Sequence, residues 1–249
     1  MRQPLFSIIT PTYNSLNGLQ RSYQSLQDQS PELYEYLIVD GASTDGTSDW
    51  LRNLGPATCR WISEPDSGVY HAMNKAISIS KGRFLYFLGS GDELISEVLE
   101  SAAEFIERLP TEKPRFIYGD VRLTNREGRL LGGSFTASRL CRENISHQAI
   151  FYERSIFELL GKYDLKYPIY SDWAFNLQCF GDKRIAKYYW NKVVANFESN
   201  GLSDRVADVP FAQDRLALIQ RYLGSFSNLQ FRLERKINRI QEQLYRPSK

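Results

Sequence analysis

The chain is short of cysteine and histidine, has almost no surplus of charge and carries no long apolar run, and each shortage excludes something. Its three cysteines, Cys59, Cys141 and Cys179, are isolated and odd in number. They fit neither a disulfide framework nor a paired metal knuckle, so a reducing compartment is expected. Lys and Arg total 31 against 29 Asp and Glu, a net charge of +2, so no global field argues for nucleic acid. No stretch nears the ~18 apolar residues a membrane span needs. Met1 to Pro11, with one Arg and a short apolar-leaning run, reads as a first strand rather than a signal peptide. These absences predict a cytoplasmic protein that would meet a membrane only from its inner face.

What is present is ordinary for a globular protein: 249 residues, 42% hydrophobic and 24% charged. Aromatics reach 13%, on the high side. Aromatic rings suit sugars, but building cores is their commoner use.

The first 90 residues alternate strand and helix signals. Leu5 to Thr10 reads as a buried strand stopped by Pro11, and Leu16 to Gln29 places Leu16, Leu19, Tyr23 and Leu26 at helical spacing. Tyr34 to Val39 is a second strand ending at Asp40, and a helix follows through Trp50 and Leu51. Cys59 to Ile62 is a third short strand, a helix through Tyr70, Met73 and Ile77 ends at Gly82, and Arg83 to Leu88 is a fourth strand. Such alternation with short connections predicts a Rossmann-like α/β fold, its central sheet mostly parallel, with helices on both faces.

Beyond residue 95 the pattern loosens. Helices are expected over Glu97 to Leu109, Ser155 to Leu160, Asp172 to Cys179 and Val209 to Leu223. Strands are expected over Arg115 to Leu123, with Gly119 and Asp120 at its end, and over Gln148 to Tyr152, with a hairpin-like turn at Arg126 to Gly128. Phe226 to Tyr245 keeps Leu229, Leu233, Ile237, Ile240 and Leu244 in amphipathic register. Repeats, low-complexity tracts and linkers are lacking. The expectation is one domain over 1–249, with a ligand-binding half over 1–95, a second half over 96–205 and a helical extension over 206–249.

Open parallel sheets bind ligands outside the carboxyl ends of their strands. Here those ends carry Thr10-Pro11-Thr12-Tyr13-Asn14, then Asp40 to Thr47, then Glu64-Pro65-Asp66-Ser67-Gly68, then Gly89-Ser90-Gly91-Asp92-Glu93. Any one of these could be turn chemistry. Four acidic, hydroxylated or glycine-rich loops on one edge predict a ligand site.

Those same four segments, with Met73-Asn74-Lys75-Ala76, resemble the successive signatures of family 2 glycosyltransferases of the GT-A fold. The likeness is dense from residue 5 to about 95 and resumes at Ser146-His147-Gln148, Ser171-Asp172-Trp173, Asn196-Phe197-Glu198 and Gly201-Leu202-Ser203. It implies an inverting transferase that takes a sugar from a nucleotide-diphosphate donor, UDP-linked by expectation. The acceptor would be a glycan or lipid-linked hydroxyl in cell-surface polysaccharide synthesis.

On that resemblance Pro11, Thr12, Tyr13, Asn14, Asp40, Ser43, Asp45, Asp66, Lys75, Ser90 and Gly91 would line the donor pocket. Pro11 and Tyr13 would wall the base, and Asp40 would accept a uracil imide N–H. Asp66 would sit near base or ribose, and Lys75 would either approach the diphosphate or stay solvated. Asp92 would hold Mg²⁺ or Mn²⁺, although relatives usually place two carboxylates around one spacer where this chain has Ser90-Gly91-Asp92. Asp172, at a helix start, matches the place of the general base. His147 would touch metal, phosphate or acceptor, or be structural; Trp173 would stack on a sugar or pack; Ser203 would lie in a loop closing over the diphosphate.

Six basic residues against two acidic from Arg232 to Lys249 would suit anionic lipid, a second subunit or packing on the domain. Two rivals are kept in view. A nucleotidylyltransferase would need a glycine-rich phosphate loop after the first strand, where Thr10 to Asn14 stands. A non-catalytic nucleotide-sugar-binding or scaffold protein would retain the pocket, and the missing first metal carboxylate is the feature in its favour.

Overall fold

The computed structural model describes residues 3–55, 58–124, 128–197 and 206–244. The first half runs β1 (Phe6–Thr12), α1 (Leu16–Ser25), β2 (Tyr34–Asp40), α2 (Thr47–Leu54), β3 (Arg60–Ser63), α3 (Val69–Ile79) and β4 (Phe84–Phe87). The second runs β5 (Glu93–Leu94), α4 (Val98–Glu107), β6 (Arg115–Leu123), β7 (Leu130–Leu131), α5 (Ala137–Leu140), β8 (Ile150–Glu153), α6 (Ser155–Leu160), α7 (Ser171–Gly181), β9 (Ala186–Phe197) and α8 (Val209–Leu244).

The nine strands of the described residues join one sheet in the order β3-β2-β1-β4-β8-β6-β9-β5, with β7 added to β6. The four strands of the first half are parallel. The second half is mixed: β4/β8, β8/β6, β6/β7 and β9/β5 are antiparallel, and β6/β9 is parallel. The expected mostly parallel character holds: β1 to β4, β6 and β9 share one direction, and the antiparallel pairings belong to the second half. Antiparallel β8 returns the chain beside β4, so β6 and β9 run in the same sense as β1 to β4.

Alternation along the strands makes two cores, because successive side chains of a strand face opposite sides. Phe6, Ile8, Tyr36 and Ile38 pack with Leu19, Leu51, Leu99 and Ile106 on one face. Ile9, Leu37, Val39 and Phe87 pack with Met73, Ile77, Phe157, Phe175 and Ile219 on the other. Helices therefore cover both faces, as the sequence suggests.

Strand β1 continues through Pro11 rather than stopping there. Leu88 N–H donates to the Ile9 carbonyl and Gly41 N–H to that of Thr12, so odd positions of β1 face β4 and even ones face β2. Pro11 therefore points where β4 has already ended, and its missing N–H removes no ladder bond. Gly119 and Asp120 lie inside β6, at a register shift against β9, rather than at its end. The same irregularity blurs the alternation of β9, which shows no period-two pattern in the sequence. The helical region after 209 breaks at Gly224 (φ 82°, ψ 174°), close to the expected division. The amphipathic and basic side chains expected beyond Arg232 lie outside the described residues, as does the Arg126 to Glu127 turn.

Beneath the sheet, Arg115 is buried and hydrogen-bonds the Glu153 carboxylate through Nε (2.9 Å) and Nη2 (3.1 Å), with Arg83 Nε adding a third contact at 3.0 Å. Burial pushes the Glu153 carboxyl upward, but the hydrogen bonds and charge of Arg115 outweigh it and leave it below the ordinary value.

Candidate active site

Three of the four loops at the carboxyl edge are stitched together by short side chains. Asn14 adopts φ 49°, a left-handed geometry that Asn tolerates. Its Oδ1 accepts Thr44 N–H at 2.8 Å, while its own N–H donates to Ser43 Oγ at 2.7 Å. Asp45 Oδ2 accepts Leu16 N–H at 2.8 Å and Oδ1 accepts the Thr47 hydroxyl at 2.5 Å, which with backbone N–H bonds lowers its carboxyl from the ordinary value. Asn14, Ser43 and Asp45 thus fasten the loop after β1 to the loop after β2.

Asp40 is fully buried at the end of β2. Its carboxylate accepts Ser63 Oγ at 2.6 Å, Ser48 Oγ at 3.4 Å, and both the N–H and the hydroxyl of Ser43. These bonds satisfy the buried carboxylate and fix the loop.

Beyond it the backbone thins at Gly41. A Cβ there would lie 2.9 Å from Asp66 Oδ2 and 3.2 Å from Tyr13 Cδ2, so the glycine provides room for those two side chains to converge. Tyr13 is 65% exposed, with its ring uncovered at the edge, and Asp66 is half-buried. Asp66 Oδ1 accepts Gly68 N–H at 2.9 Å. Lys75 is turned to the same loop: its Nζ donates to the Pro65 carbonyl at 3.0 Å and pairs with Glu64 at 2.8 Å. It braces the loop rather than standing solvated.

The turn after β4 is held from α1. Ser22 Oγ lies 3.0 Å from the Gly89 carbonyl and 2.7 Å from that of Asp92, and accepts Gly91 N–H at 2.9 Å. Ser90 Oγ meets the Ser15 carbonyl at 3.2 Å and accepts Thr12 Oγ1 at 3.4 Å. Asp92 folds back so closely that a Cβ on Gly89 would sit 2.4 Å from its Oδ2. That oxygen accepts Gln148 Nε2 at 2.8 Å.

The residue before Gln148 faces a second carboxylate. Asp172, in the first turn of α7, is 5% exposed. Its Oδ1 accepts the Tyr70 hydroxyl and its neighbour Trp173 N–H, both at 2.8 Å, and its Oδ2 accepts Asn144 Nδ2 at 2.9 Å. His147 Nδ1 lies 3.8 Å from Oδ2, with a quarter of its side chain exposed. Burial, and then the Asp172 charge, push the Tyr70 phenol well above its ordinary value, so it remains a hydrogen-bond donor. The His147-Gln148 pair therefore spans from Asp172 to Asp92.

Of the two readings of Trp173, packing fits its surroundings. It is 8% exposed, donates Nε1–H to the Leu140 carbonyl at 2.8 Å, and is covered by Arg215 and Phe211. No sugar can stack on a ring so enclosed. Ser203 lies outside the described residues. Sequence reasoning missed Gly41, Asn144 and the roles of Tyr70 and Gln148. Tyr70 and Gln148 stood inside the quoted motifs; Asn144 had no local signal.

A hollow of about 220 Å³ beside the Asp92 turn is lined by Arg21, Gly91, Glu93, Thr124, Asn196 and Phe197. A larger one, about 590 Å³, lies by Lys113, Pro114 and Ser155, at the opposite sheet edge where β6 begins. Among the described residues no group of three or more His, Cys, Asp and Glu could hold a metal, and no helix is long and apolar enough to cross a membrane.

A parallel α/β half with four convergent polar loops, continued by a mixed sheet that carries a buried carboxylate to the same edge, defines a GT-A-type nucleotide-sugar transferase. The model of glycosyl transferase family 2 matches residues 7–156. A PGL/p-HBAD biosynthesis glycosyltransferase of Mycobacterium tuberculosis is 38% identical over 218 residues, 85% of this chain and 84% of its own length. The chain belongs to glycosyl transferase family 2, and is an enzyme that transfers a sugar from a nucleotide-diphosphate-sugar donor.

Solved structures agree on the fold. Residues 1–349 of S. aureus TarS in complex with UDP superpose with a TM-score of 0.66 at 20% identity, covering 87% of this chain and 64% of that one. This chain thus spans somewhat under two thirds of that chain. The mannosyltransferase PcManGT from Pyrobaculum calidifontis, in complex with GDP-Man and Mn²⁺, gives a TM-score of 0.62 at 16% identity over 99% of this chain and 77% of that one.

Proposed function

We propose that the enzyme is an inverting, UDP-sugar-dependent transferase that glycosylates a hydroxyl of a lipid-linked or glycan acceptor in cell-surface glycoconjugate synthesis. The observation that carries the donor half is the convergence of exposed Tyr13 and half-buried Asp66 over the bare backbone of Gly41. The ring offers a face for a base, and the carboxylate offers acceptors for an imide or ribose donor. Asp40, fully engaged by three serines, fixes this pocket from below and leaves the direct contact to Asp66. The UDP bound in the TarS complex supports the choice of nucleotide.

One carboxylate on a turn shaped by Ser22 fits a hard cation whose other ligands are phosphate oxygens and water. Asp92 would hold Mg²⁺ or Mn²⁺ there. The ion would neutralise the departing diphosphate. The chain's own part is to orient Asp92 through Gln148 and to hold the Asp172 carboxylate where the acceptor proton must go.

Calorimetric titration with UDP, GDP, dTDP and CDP, with and without Mn²⁺, tests the reading. UDP is expected to bind tightest and more strongly with Mn²⁺, and Asp66→Ala to weaken it at least ten-fold. Binding of another nucleotide instead, or unchanged UDP affinity in Asp66→Ala, would reject the proposed base pocket.

A further inference from the structure

We propose that Tyr152, Asn176 and Asn144 form a one-way chain of hydrogen bonds that positions the Asp172 carboxylate and leaves Oδ2 as the oxygen that receives the acceptor proton. This rests on the reading above, in which Asp172 takes that proton. Tyr152, fully buried on β8, donates its hydroxyl to Asn176 Oδ1 at 2.8 Å. Asn176, equally buried on α7, donates Nδ2 to Asn144 Oδ1 at 2.9 Å. Asn144, between α5 and β8, donates Nδ2 to Asp172 Oδ2 at 2.9 Å. Asn176 stands one turn beyond Asp172 on the same face of α7, so the chain leaves that helix and returns to it through Asn144. Tyr152 packs against Phe116, Phe157 and Phe175, so a polar line runs through an aromatic core, which is costly unless every member is paired.

Chemistry fixes the direction of the chain. A carboxylate that is to take a proton carries none and only accepts, so Asn144 must turn its amide nitrogen to Asp172 and its oxygen away. That oxygen needs a donor, which sets the amide of Asn176, and Asn176 Oδ1 in turn needs the Tyr152 hydroxyl. Burial raises the Tyr152 phenol well above its ordinary value, so it keeps the proton it donates. Each amide is thereby held in one of its two flips. At the other end the lone pairs of the carboxylate can be counted. Oδ1 receives the Tyr70 hydroxyl and Trp173 N–H, two donors for two lone pairs. Among the described residues Oδ2 receives a hydrogen bond from Asn144 alone and keeps one acceptor position. In the transfer, the acceptor O–H gives its proton to Oδ2, and its oxygen forms the new bond to the anomeric carbon. The bond from that carbon to the diphosphate oxygen breaks, and its electron pair leaves with the nucleoside diphosphate. Tyr152 and Asn176 act only through Asn144 and the carboxylate, as positioning residues.

A double-mutant cycle in turnover tests the chain, because groups that act in series are not additive. Release of UDP from UDP-glucose, UDP-galactose and UDP-N-acetylglucosamine is followed, water serving as acceptor. Misplacing a reacting group by about 1 Å can cost about 10²-fold, and Asn144→Ala should lower kcat by about that much. Tyr152→Phe, which removes one hydroxyl and keeps the ring, should lower it about ten-fold. The double variant should be no slower than Asn144→Ala, and donor KM should stay within two-fold of wild type throughout. A double variant slowed by the product of the two single losses, or an unchanged kcat in Tyr152→Phe, would overturn the proposal. A second measurement needs no turnover. In protein labelled with ¹⁵N-asparagine, the side-chain amide of Asn144 is identified by its loss in Asn144→Ala. Tyr152→Phe should shift that resonance although Asn176 stands between the two groups; an unmoved resonance breaks the chain. The same resonance decides the chain if none of the three donors is turned over, or if Asp172→Asn keeps wild-type turnover, the two results that would instead remove the reading of the site.

Discussion

The two parts of the site are built in opposite ways. At the donor edge, neighbouring loops hold each other through short side chains a few residues from the strand ends: Asn14 with Thr44, Asp45 with Leu16, Ser43 with Asp40. Around Asp172 the partners come from three distant places: Tyr70 on α3, Asn144 after α5 and His147 before β8. The first kind of site is written in contiguous motifs. The second exists only once β8 and α7 have brought remote segments together. The loop cluster can therefore be kept almost by local rule, while the surroundings of Asp172 depend on the packing of the whole second half.

Within the donor edge, the largest effect is expected at Gly41. Gly41→Val puts atoms where Asp66 and Tyr13 now meet, and should weaken UDP binding by two orders of magnitude or more, while circular dichroism shows a native fold. Equal UDP affinity in that variant would show that the convergence is not the pocket. The smallest effect is expected at Lys75. Its ammonium is already committed to Glu64 and the Pro65 carbonyl, so Lys75→Met should change UDP affinity less than about three-fold. A ten-fold loss by calorimetry would place Lys75 on the phosphates after all.

The same contrast explains what could be read in advance. The alternation up to Phe87 was legible because each strand ends in a turn residue and each helix has one apolar face, and the four loops follow from that. The place of Asp40 at the end of β2 is legible in the sequence. Its burial beneath Ser43, Ser48 and Ser63 depends on side-chain directions that no spacing reveals. Trp173 beside Asp172 invited a stacking role, yet a helical neighbour points some 100° away, here into the core with Leu140 and Arg215. Strand β9 escaped notice because its irregular pairing with β6 removes the alternation that marks a strand. Asn144 sits in a polar stretch with no pattern of its own, and only the fold gives it a partner.

The most direct test of the central claim, that this cleft binds the donor locally and performs chemistry through the buried carboxylate, is a paired measurement on Asp172→Asn. UDP affinity and UDP-sugar turnover would be followed in the same preparation. The account predicts UDP affinity within two-fold of wild type and turnover reduced about 10³-fold or more, because an amide keeps the shape of Asp172 but not its charge. Retained turnover, or a loss of UDP binding equal to the loss of rate, would contradict it.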